Sequence, residues 1–127
     1  MKSLIYLISL MLITTACSSQ TAESESYQRV DNTEWAEALS EADDTPQIID
    51  VRTAEEFADG TIEGSINIDF LAEGFLEKMN EQLNKEETIY IYCRSGGRSA
   101  KAATLLIEAG YSNIIELETG YSGYDKK

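Results

Sequence analysis

One short stretch, Cys93-Arg94-Ser95-Gly96-Gly97-Arg98-Ser99, gathers a thiol, two guanidinium groups, two hydroxyls and two glycines. The chemistry open to such a set is nucleophilic attack by a thiolate, because the ionised sulfur and not the thiol is the reactive form. An apolar run of β-branched and aromatic residues, Thr88 to Tyr92, stops at Cys93, and a helix-like run from Ser99 to Ala109 follows the glycine loop. Strand, tight loop and helix start together aim backbone N–H groups and the positive end of a helix dipole at one point. A cysteine at the mouth of that cup, with Arg94 and Arg98 beside it, is expected to lose its proton more readily than a free thiol.

Charge points to the same place. The chain carries 23 acidic residues against 10 basic ones, a formal net charge of −13, yet no acid lies between Glu87 and Glu108. Arg94, Arg98 and Lys101 fall inside that gap. A locally basic loop on so acidic a chain is where a small anion could approach, whereas nucleic acid and anionic membrane surfaces are repelled by the bulk field. The sequence holds no histidine, which excludes Cys–His, Ser–His and His–metal arrangements. Catalysis must then rest on thiol, carboxylate, arginine and backbone groups, and no metal or cofactor is expected.

The elements that hold this loop can be read in order. Tyr27 to Val30 predicts a first strand, and Asp31 with Glu34 has capping-box spacing, with Val30 set to staple onto Trp35. Trp35, Ala38, Leu39 and Ala42 recur at helical spacing and read as core. Pro46 opens a second strand, Gln47 to Arg52; Thr53 and Glu56 repeat the capping-box spacing, and Gly60 is a plausible helix stop. Ile62 to Ile68 predicts a third strand, and Phe75, Leu76, Met79 and Leu83 form a helical stripe. The helix after the cysteine loop is expected to pack through Ala100, Ala103, Thr104 and Ile107 and to end at Gly110, before a fifth strand, Asn113 to Leu117, and one last turn. Strands alternating with helices on short connections predict an α/β fold, a five-stranded, mainly parallel sheet with helices on both faces. Working sites in such sheets lie at the carboxyl ends of the strands. Cys93 directly follows one such end, and Asp50 and Arg52, read as an ion pair framing the pocket, fall at another.

The N-terminal residues, 1–16, read as an export signal. Lys2 supplies the positive start, Leu4 to Ile13 is apolar apart from Ser9, and small residues precede Cys17. The run is shorter than the roughly 18 to 20 apolar residues that span a bilayer. Thr14-Thr15-Ala16-Cys17 resembles a bacterial lipobox, with Thr14 where that pattern usually carries leucine. The resemblance implies that Cys17 is lipidated and holds the protein in the bacterial cell envelope, facing the periplasm or the cell surface. Residues 17–26 then form anchor and polar tether, and 27–127 the domain. A lipidated Cys17 leaves Cys93 as the single thiol of an exported chain, which suggests reactivity rather than a structural disulfide. The alternatives are simple cleavage after Ala16 and a Cys17–Cys93 disulfide.

Four ordered motifs are similar to the single-domain rhodanese family: Asp50-Val51-Arg52, Glu55-Glu56-Phe57, Gly60 to Ile68, and Cys93 to Ser99. The likeness runs from about Tyr27 to Tyr124. Thr61 and Glu63 stand where the family often has histidine and proline, and Thr119-Gly120 and Tyr124 where it has a glycine pair and tryptophan. The resemblance implies sulfur transfer: Cys93 takes the outer sulfur of a small anionic donor such as thiosulfate and passes it from a persulfide to a thiol, or to cyanide. It casts the loop, Arg94 through Ser99, as the substrate-binding cup. A cysteine phosphatase or arsenate reductase is a rival on a similar fold, but four residues, Arg94 to Gly97, separate Cys93 from Arg98. That loop is one residue shorter than theirs and better sized to a single sulfur. A persulfide carrier that does not turn over is the other alternative.

Overall fold

The computed structural model describes residues 26–126. The expected export signal, Cys17 and most of the expected tether lie outside the described residues. Ser26, which the sequence assigns to the tether, is instead the first residue of β1 (Ser26–Val30), because its N–H donates to the Ser112 carbonyl at 2.8 Å.

Both capping boxes form. Asp31 accepts from the amides of Thr33 and Glu34 while Glu34 reaches back to the Asp31 N–H, which starts α1 (Asn32–Ser40). Thr53 and Glu56 do the same for α2 (Ala54–Asp59). Between them runs β2 (Gln47–Asp50). The third strand is far shorter than Ile62 to Ile68: β3 is only Ser65–Asn67. Ile62 turns out of the ladder because its N–H donates to the Tyr92 hydroxyl and its side chain is buried. Then come α3 (Phe75–Gln82), β4 (Ile89–Tyr92), α4 (Gly97–Glu108), β5 (Asn113–Leu117) and a 3₁₀ turn at Tyr121–Gly123.

All strand pairings are parallel, in the order β1-β5-β4-β2-β3, so β4 is central and Cys93 leaves the sheet near its middle. Side chains alternate across a strand, and the two cores follow that parity. Ile89, Ile91 and Cys93 pack with Met79 of α3 and with Ala102, Ala103 and Leu106 of α4. Tyr90 and Tyr92 pack with Trp35 of α1 on the opposite face. Strand parity thus places the Cys93 side chain under α4.

The buried stripe of α4 is Ser99, Ala102, Ala103 and Leu106, not the expected Ala100, Ala103, Thr104 and Ile107. The helix is rotated by about one residue because the hydroxyl of Ser99 turns inward to polar partners beneath it. Ala109 caps the helix and Gly110 follows it with φ 95°, the left-handed stop expected there.

Candidate active site

Cys93 is 1 % exposed. Its sulfur lies 3.1 Å from the Gly96 amide nitrogen and 3.3 Å from Ser99 Oγ. No side chain caps α4, whose N-cap is Gly96. The sulfur occupies the place a capping oxygen would take, and a helix N-terminus with free amides favours an anion there. Burial pushes the thiol up. Hydrogen bonds from the Ser99 side chain and from the amides of Ser99, Ser95 and Gly96 outweigh it, so the thiol sits below its ordinary range.

Two glycines make this geometry possible. Gly96 has φ 92°, and a Cβ there would collide with the Glu118 carbonyl and come within 2.8 Å of Arg29 Nη2. Gly120, at φ 61°, lets the chain pass directly behind the loop, where a Cβ would overlap the backbone of Cys93 and Arg94. From that position the amides of Tyr121 and Ser122 donate to the carbonyls of Cys93 and Arg94 at 2.8 and 2.9 Å. The loop is held from behind by backbone.

The rhodanese-like domain description matches residues 32–127. The chain belongs to the rhodanese-like domain family. It is 37% identical over 87 residues to thiosulfate sulfurtransferase 16 of Arabidopsis thaliana, covering 61% of this chain and 72% of that one. It is 33% identical over 87 residues to YrkF of Bacillus subtilis, a proposed sulfur carrier protein, covering 68% of this chain and 45% of that one. The solved structure of a rhodanese-like domain protein from Staphylococcus aureus aligns at 31% identity with a TM-score of 0.66, over 80% of this chain and 94% of that one.

The two loop arginines of this rhodanese-like domain are not equivalent. Arg94 is exposed and, among the described residues, has no carboxylate partner. Arg98 is already engaged: its Nη1 and Nη2 donate to Glu56 at 2.8 and 3.1 Å. The Arg98 fork, with help from the Thr53 amide and against partial burial, holds the Glu56 carboxyl down at about 2. A carboxylate depressed in the folded state contributes stability above its usual value of 4.5, lost as pH falls towards 2. Among the described residues, the loop arginine Arg98 is ion-paired and Arg94 is not.

Asp50 and Arg52 do form a buried pair, with Arg52 Nη2 2.7 Å from Asp50 Oδ2. Its position differs from the expected pocket frame. Asp50 is in phase with Ile48, whose side chain joins the Tyr92 core, so parity turns the pair to the face opposite Cys93. Arg52 stacks 4.3 Å from the Tyr121 ring centroid and donates to the Gly60 carbonyl, while Asp50 and Tyr92 share the Thr61 hydroxyl. The pair supports the loop indirectly, through the Tyr121 that grips Cys93.

Glu116 is the residue that sequence reading passed over. It is fully buried in β5, in phase with Ile114 and hence on the Cys93 face. Ser99 Oγ lies 2.6 Å from its Oε1, Arg29 Nε is 3.1 Å from its Oε2, and the Tyr27 hydroxyl donates to the same oxygen. Burial first, then the Glu116 contact, push the Tyr27 phenol up. The available signal was a lone acid inside the apolar run Ile114-Ile115-Glu116-Leu117.

Proposed function

We propose that the protein is a sulfurtransferase of the thiosulfate type. The Cys93 thiolate attacks the outer sulfur of the donor, the donor S–S bond breaks, and sulfite leaves with the electron pair, giving a persulfide on Cys93. A thiol or cyanide then attacks the outer sulfur and the Cys93 thiolate leaves, which is two-step covalent catalysis. The observation that carries this reading is the seat of the sulfur, ringed by loop amides and Ser99 at a helix start. One such donor to a developing anion is worth roughly 2.7–4 kcal/mol. Incubation with thiosulfate and cyanide should yield thiocyanate over many turnovers. Phosphatase turnover without thiocyanate would overturn the proposal.

A second reading, a persulfide carrier, is favoured by the pairing of Arg98 with Glu56, which weakens the hold on a small dianion. In that case mass spectrometry shows one stoichiometric persulfide on Cys93 and a small acceptor gives no repeated turnover. The pairing also makes a prediction for the enzyme. Glu56→Gln removes a negative charge from the rim and releases Arg98, so KM for thiosulfate should fall about threefold to tenfold, roughly 0.7–1.4 kcal/mol. Steady-state kinetics check it, and an unchanged KM would mean that Arg98 does not meet the donor.

The site is further proposed to work outside the cytoplasm, on a chain tethered through a lipid on Cys17. Labelling with a radioactive fatty acid should mark the wild type and leave Cys17→Ala unlabelled.

A further inference from the structure

Ser99 has one hydroxyl hydrogen and two acceptors within reach, Glu116 Oε1 at 2.6 Å and Cys93 Sγ at 3.3 Å. It can serve only one at a time. With Cys93 protonated, the shorter contact takes the hydrogen and leaves a Ser99 lone pair facing the thiol. That is a continuous path, S–H to Oγ and O–H to carboxylate. Glu116 is 0 % exposed and Cys93 1 %. Thiol and carboxylate thus share one small buried space, with Arg29 Nε 3.1 Å from the far oxygen of Glu116.

We propose that Glu116 is the internal proton acceptor for Cys93, acting through Ser99 as a positioning residue in a chain that has no histidine to do the work. The S–H bond breaks as a new O–H bond forms on Ser99, while the original Ser99 hydrogen passes to Glu116 Oε1. The hydroxyl then donates to the thiolate, and the Glu116 carboxylic acid donates to Ser99 Oγ. Net charge in the buried cluster is unchanged, and no oxidant or cofactor is consumed. The groups facing this set are Tyr27 and Arg29 from β1, whose contacts to Oε2 leave Oε1 free for Ser99. Arg98, at the start of α4, adds its field at the sulfur.

The proposal rests on Cys93 being the nucleophile of sulfur transfer, but its test does not require sulfur transfer to occur. Alkylation of Cys93 by iodoacetamide, followed from pH 5 to 10, reads the thiolate directly. Glu116→Gln keeps the shape and an acceptor for Ser99 but cannot take the proton. Its alkylation near pH 6 should be about tenfold slower than wild type, the effect of about one unit in the thiol's ionisation, with the two profiles converging at high pH. A merely electrostatic Glu116 gives the opposite sign, since deleting a neighbouring negative charge makes the thiolate easier to form. A rate at pH 6 equal to or above the wild type, in a variant whose circular dichroism and melting match it, overturns the relay. Should Glu116→Gln not fold, the comparison moves to Ser99→Ala, which leaves the Arg29 and Tyr27 contacts to Glu116 in place. Ser99→Ala should slow alkylation in the same pH window, and an unchanged rate would likewise overturn the relay.

Discussion

Cys93→Ser should lose sulfur transfer by on the order of 10⁴-fold or more while keeping its fold. The two parts of that result have separate causes. Chemically, an oxygen in place of sulfur cannot form the persulfide, and an alcohol at this position is un-ionised at neutral pH, so both steps of the exchange fail. Structurally, the change is small. The serine hydroxyl remains within reach of the Gly96 amide and of Ser99, so the polar atom brought into the apolar cluster beside Ile91 and Ala102 keeps partners. Burial of a hydrogen-bonded hydroxyl is far cheaper than burial of an orphaned one. Thiocyanate formation measures the first part and thermal melting the second. Turnover within about tenfold of wild type, a barrier change of only about 1.4 kcal/mol, would put the nucleophile elsewhere. A large loss of stability would mean that the sulfur's capping of α4 is itself a structural element.

Much of this arrangement is legible in the sequence alone. The capping boxes at Asp31 and Thr53 are local signals, decided by groups three residues apart, and both form as read. The alternation of Ile89, Tyr90, Ile91 and Tyr92 is equally local, and it suffices to aim Cys93 at one face of the sheet. What the sequence leaves open is the choice between distant partners. Arg98 could have met a donor or any acid of an acidic chain, and only the tertiary fold, which sets Glu56 of α2 beside the start of α4, hands it that partner. Asp50 and Arg52 were paired correctly, being two residues apart, but their face depends on where β2 ends. Glu116 was hidden for the same reason: its partners Tyr27, Arg29 and Ser99 come from β1 and α4, far away in the chain. The stripe of α4 was misread by one position because a serine, normally assigned outward, faces inward.

Arg52→Ala should be the most damaging change away from the sulfur. Asp50 is 0 % exposed and receives both the Arg52 amide and the guanidinium at 2.7–3.0 Å, so removing the cation leaves an uncompensated charge inside the protein. Breaking a buried pair from one side costs about 3–5 kcal/mol, against about 5–15 kcal/mol for the whole fold. For a domain of this size that corresponds to a melting-temperature drop of roughly 15–30 °C. The loss should also reach the active site, because Tyr121 stacks on Arg52 while its amide holds the Cys93 carbonyl. Thermal melting reads the first effect, and the rate of Cys93 alkylation at fixed pH reads the second. Replacing both partners with apolar residues of similar volume should recover most of the stability, since the penalty belongs to the orphaned carboxylate and not to the absence of the pair. A drop of less than about 5 °C for Arg52→Ala, or a double variant as unstable as the single one, would show that Asp50 finds compensation elsewhere in the Thr61–Tyr92 network.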